Sequence, residues 1–160
     1  MLTLLSVGAS PIQVTDLHDL AAQLHDALWI DVFNPSLEEE RAVEQALGCD
    51  IPTKLEMEEI EASSRLHTEG SALIMTAMVL CNGDERDPES SPVTFILASG
   101  KLVTVRYNDP LVLRAFRARV AEGRECPQAS DKALALLIDA FVDRLADILE
   151  SVGFQVDKIS

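Results

Sequence analysis

The segment from Ser130 to the end of the chain constrains the fold most. Leu134, Ile138, Phe141, Leu145, Ile148 and Val152 follow one another at steps of 4, 3, 4, 3 and 4, the spacing of a coiled-coil seam, which then shifts register to Val156 and Ile159. The pattern predicts one helix from Ser130 or Asp131 onward, far longer than the mean of about 11 to 12 residues. No cap or proline follows Ile159-Ser160. The expectation is therefore a chain cut within a longer helix, whose apolar stripe needs a surface to cover it.

The rest must supply a body for that helix. The 160 residues suit one ordinary domain, and 48% hydrophobic with 25% charged residues is a globular composition. Thirteen basic against 27 acidic residues give a net charge of -14, which repels phosphate backbones and anionic lipid surfaces and gathers cations. Nucleic acid is thus an unfavourable partner. The longest apolar stretch, Ala72 to Cys81, is far short of the roughly 20 residues that span a bilayer. Cys49, Cys81 and Cys126 are odd in number and lack a Cys-x-x-Cys spacing, as expected of reduced cytosolic thiols.

Strand signals occupy Leu2 to Val7, Ile12 to Val14, Trp29 to Phe33, Ser64 to Glu69, Ala72 to Cys81, Val93 to Ala98 and Leu102 to Tyr107. The last four form a meander, with Ser99-Gly100 as a two-residue hairpin loop. A first helix is predicted from Thr15 or Asp16 to about Ala27, carrying Leu17, Leu20, Ala21, Leu24 and Leu28 inward. Ser36 with Glu39 forms a capping box for a helix to Leu47, closed by Gly48, and Thr53 with Glu56 repeats the signal for a helix over Pro52 to Glu59. Asp109 as cap and Pro110 at the first helical position open another, to about Ala121. Its surface is made basic by Arg114, Arg117, Arg119 and the following Arg124.

No glycine-rich nucleotide loop, Gly-x-Ser-x-Gly elbow or His-Glu-x-x-His motif occurs, so no enzyme activity is expected. His18 and His25 are seven residues apart, about 10 Å along a helix, whereas helical metal pairs use i, i+4; a solvated polar face is the simpler reading. The same holds for Glu56, Glu58, Glu59 and Glu61, and for Arg65, His67 and Glu69 on one strand face. The i, i+4 ladder Asp139, Asp143 and Asp147, partly offset by Arg144, can face solvent, a partner subunit or cations. Asp84, Glu85 and Asp87, in the polar stretch Asn82 to Ser91, are hard oxygen ligands of the type that Mg²⁺ and Ca²⁺ require, without EF-hand spacing.

Trp29-Ile-Asp-Val-Phe33 followed by Asn34-Pro35 and an acidic helix, then Glu58-Glu-Ile-Glu-Ala-Ser-Ser-Arg65, resembles the N-terminal cytoplasmic domain of CorA-type magnesium and cobalt transporters. Leu102-Val-Thr-Val-Arg-Tyr107 and Leu136-Leu-Ile-Asp-Ala-Phe-Val-Asp143 extend the resemblance over nearly the whole chain. It implies an α/β fold, an α/β/α layered domain with a mixed, largely antiparallel central sheet over residues 1–128. Residues 129–160 would then begin a stalk helix leading to two membrane spans in a homopentamer at the cytoplasmic face of the bacterial inner membrane. It also implies that cytoplasmic Mg²⁺, bound between subunits, favours the closed channel. Carried onto this chain, the carboxylates of that site are Asp84 first, then Asp87 and Glu85, with Co²⁺ a further possible ion.

Neither span nor the family's Gly-Met-Asn pore tripeptide is in this sequence, so the chain cannot itself conduct ions. A zinc-transporting branch and a free-standing soluble regulator of the same fold are the alternatives. Glu59-Ile-Glu-Ala-Ser63 favours the magnesium/cobalt branch.

Overall fold

The structure, a computed structural model, describes residues 1–18, 20–59, 61, 64–81 and 89–159. Its centre is a seven-stranded sheet of β1 (Leu2–Leu5), β2 (Ile12–Gln13), β3 (Trp29–Phe33), β4 (Leu66–Glu69), β5 (Ala72–Leu80), β6 (Ser90–Ala98) and β7 (Lys101–Arg106), in the order β2-β1-β3-β7-β6-β5-β4. β3 and β7 pair in parallel, and every other neighbour is antiparallel.

The two-residue period divides the strand side chains between two cores. Ile30, Val32, Val103, Val105, Ile74 and Ile96 face one layer, made by α1 (Leu20–Gln23), α2 (Leu37–Leu47) and α3 (Lys54–Glu59). Trp29, Leu102, Phe95, Val93 and Val79 face the other, against Leu113, Phe116 and Val120 of α4 (Leu111–Ala121) and Ala133 and Leu137 of α5 (Ser130–Ile159). The result is the α/β/α layering that the sequence implies.

Several local signals fold as read. Ser36 accepts from the Glu39 amide at 3.2 Å and the Glu39 carboxylate accepts from the Ser36 amide at 2.9 Å, while Gly48 closes α2 at φ 72°. Thr53 and Glu56 repeat the reciprocal bonds ahead of α3. Ser99 and Gly100 turn between β6 and β7 with φ of 51° and 73°, both positive as a tight hairpin turn requires.

Two helix starts differ from expectation. The first helix contracts to Leu20–Gln23, because Asp16 spends its carboxylate on the His18 amide at 3.0 Å, and because His25 and Ala27 bond back three residues, to Ala22 and Leu24. Leu28 then donates to the Leu5 carbonyl and enters the sheet. Leu20 and Leu24 are still buried, so the apolar spacing located the inward face but not the helix length. At α4 the cap position is Pro110, not Asp109, and makes no side-chain cap bond; Asp109 instead turns to Arg106 and Arg114. A nearby guanidinium is a stronger partner for a carboxylate than a helix-end amide.

Helix α5 follows its predicted span, but the domain covers only part of the heptad seam. Ala133 and Leu137 are fully packed, with Leu134, Leu136, Ala140 and Phe141 against them, whereas Ile138, Val142, Leu145, Leu149 and Val152 are exposed. Leu137→Ala should therefore cost about 2 to 5 kcal/mol. Leu149→Ala, at a side chain 70% exposed, should stay within about 0.5 kcal/mol. Urea unfolding of both variants checks the pair, and equal losses would contradict the packing.

The α2 cap also sets a pH dependence. Burial by itself would raise the Glu39 carboxyl, but the Met1 ammonium at 2.6 Å and the Ser36 amide overcome it and hold the group below its ordinary range. A carboxyl lowered in the folded state stabilises above its unfolded pKa and loses that contribution as pH falls through the folded value. The stability advantage of the native chain over Glu39→Gln should thus be present at pH 7 and fade below about pH 4.3. Thermal melts across pH 3 to 7 test this; a pH-independent difference would refute it.

Candidate functional site

Asp84, Glu85 and Asp87, with the whole stretch 82–88, lie outside the described residues. The frame on either side of them is well defined. β5 ends at Leu80, Cys81 donates its amide to the Glu89 carbonyl at 2.8 Å, and β6 starts at Ser90, three residues before the predicted Val93. The early start follows from the ladder, in which Leu80 pairs with Ser90 and Val79 with Ser91. Burial pushes the Cys81 thiol up; Glu89 and Asp109 add to the rise and Arg106 opposes it. The base of the hairpin is therefore within electrostatic reach of a charged centre at the end of β7.

That centre is built on Asp31, from β3, whose side chain is wholly buried. One carboxylate oxygen accepts from Thr104 Oγ1 and Arg106 Nε, each at 2.9 Å; the other accepts from Arg106 Nη2 at 2.9 Å and Arg117 Nη1 at 2.7 Å. Trp29 Nε1 donates to the same Thr104 hydroxyl at 2.9 Å, which extends the chain of bonds into the core. Arg106, 1% exposed, is further held by the Asn108 carbonyl and Asp109 Oδ1 through Nη1, and lies 4.3 Å above the Phe33 ring. Burial opposes the Arg106 charge, but Asp31 and Asp109 more than restore it and raise its pKa. Arg117, read from the sequence as part of a basic surface, is a tether from α4 to the sheet.

This cluster lies outside the sites expected from sequence, yet its signal is in the strands. In Trp29-Ile-Asp-Val-Phe33 and Leu102-Val-Thr-Val-Arg106 the polar residues share the parity of buried Trp29 and Leu102. A charge at inward parity in a buried strand must find a partner at the same parity, and the parallel β3–β7 pairing supplies it.

The other candidates stay apart. His25 is exposed and pairs with Asp26 at 2.7 Å, His18 lies ahead of α1, and the two share no helical face. His67 sits on exposed β4, and Arg65 precedes that strand, its carbonyl accepting from the Thr76 amide. Glu56 caps α3 and Glu58 faces Lys54 at 3.8 Å. Burial raises the Glu40 carboxyl, with Glu44 and Glu56 adding to it, so α2 and α3 share a crowded acidic surface. Asp143 and Asp147 line a groove of mixed character with Arg119, Arg144, Leu111 and Val112 between α4 and α5. Among the described residues, no group of three or more His, Cys, Asp or Glu side chains is placed to hold a metal ion, and no helix is long and apolar enough to cross a membrane.

Removing the Asp31 charge would deprive buried Arg106 of the partner of its Nε and Nη2, leaving it Asp109 and the Asn108 carbonyl at Nη1. Asp31→Asn should cost about 3 to 5 kcal/mol, the loss typical of one partner of a buried ion pair. Arg117→Met, at a side chain 23% exposed, should cost less, about 1.5 to 3 kcal/mol. Chemical denaturation orders the two, and a neutral Asp31→Asn would overturn the role given to the centre.

Comparison with known proteins places this geometry in a family. A family model described as "CorA-like Mg2+ transporter protein" matches residues 25–160. The magnesium transport protein CorA of Pasteurella multocida is 32% identical over 144 residues, covering 87% of this chain and 44% of that protein. The chain thus spans less than half the length of the curated relatives it matches. The complete structure of the CorA magnesium transporter from Methanocaldococcus jannaschii superposes on 99% of this chain and 49% of its own, with a TM-score of 0.70 at 10% identity. The soluble domain of the same transporter covers 99% of this chain and 62% of its own, with a TM-score of 0.65 at 11% identity, a likeness of fold. By the extent of the family match and by its identity to the curated relative, the chain belongs to the CorA-like Mg²⁺ transporter family.

Proposed function

We propose that this chain is the cytoplasmic regulatory domain of a divalent cation transporter, with Mg²⁺ as the cargo and Co²⁺ as a second one. The observation that carries the reading is family membership over residues 25–160, joined to the CorA soluble-domain fold. Residues 1–128 form the sensor body, and residues 129–160 begin the helix that leads toward two membrane spans. The assembly is a homopentamer at the cytoplasmic face of the bacterial inner membrane. Mg²⁺ acts in it twice, as transported ion and as a ligand that sets subunit packing. The part of this domain is to sense, and no catalytic step is assigned to it.

Asp84, Asp87 and Glu85 are the carboxylates proposed to hold the regulatory ion. Hard oxygen donors suit Mg²⁺, which keeps several of its waters and needs only one or two carboxylates from the protein. A carboxylate on the neighbouring subunit would complete such a site. The net charge of -14 supports the same reading, because acidic copies brought side by side repel until cations lie between them.

Screening and binding must be separated in the test. Mg²⁺ up to millimolar levels should raise the melting temperature or the sedimentation coefficient of the chain above the values in NaCl of equal ionic strength. Asp84→Ala combined with Asp87→Ala should remove the difference and leave the NaCl response intact. If Mg²⁺ and matched NaCl act alike on both quantities, the sensing role fails for this domain.

A further inference from the structure

We draw no further inference here: the strongest candidate, the apolar groove between β5, β6 and the exposed seam of α5 lined by Met75, Met78, Phe95, Ile138, Phe141 and Leu145, is an unpartnered face, and nothing in the structure shows what covers it.

Discussion

The buried carboxylate of Asp31 is the interaction on which the rest of the architecture depends. An unpaired charge at that depth would be prohibitive, so β3 can take its central place only with Arg106 beside it and Arg117 above it. The single parallel pairing of the sheet provides the first partner, because it aligns Asp31 with Thr104 and Phe33 with Arg106. Helix α4 provides the second, by crossing the sheet with Phe116 on Trp29 and Arg117 over the carboxylate. One charge therefore fixes strand order, strand direction and the seat of a helix. A sheet slipped by one residue would turn Asp31 into the opposite core, away from Arg106 and Arg117.

That dependence explains which features could be read from the sequence. Capping boxes, the Ser99-Gly100 turn and the span of α5 depend on neighbours within a few residues, and all were recovered. The first helix and the α4 cap were not. Asp16 and Asp109 are good cap residues by type, but one closes its own local turn and the other is drawn to Arg106, whose position depends on the sheet. The Asp31 centre joins residues 75 and 86 positions apart, beyond any local pattern, although strand parity carried a usable hint. Of the proposed metal site only the chemistry was legible, as an acidic stretch between two strands.

Helix α5 divides into a packed and an exposed part. Its early turns are committed to the body through Ala133 and Leu137, while farther along Val142, Leu149 and Val152 project apolar surface into solvent and Asp143 and Asp147 line the groove beside α4. Of the heptad stripe, Leu134 and Phe141 pack on the domain, whereas Ile138, Leu145 and Val152 are exposed. A helix rooted at one end and apolar beyond it transmits the orientation of its root. Tilting it means disturbing Leu137, Phe116 and hence the Arg117 tether.

For the proposed sensing role, the energetics favour an assembly over a single copy. Taking an equilibrium from 1:99 to 99:1 requires about 5.5 kcal/mol of differential binding. One weak site filled at about tenfold its Kd supplies roughly 1.4 kcal/mol by the linkage relation. The folded body is a poor recipient of that energy, since its sheet and α4 are locked by a buried ion network whose disruption costs more than a single cation returns. In the proposed homopentamer, contacts between copies are a better one, because cations between acidic surfaces relieve like-charge repulsion and because about five equivalent sites acting together reach the required range. A strongly acidic domain with a locked core thus suits the proposed role of acting by how it packs against neighbouring copies, with its internal structure unchanged.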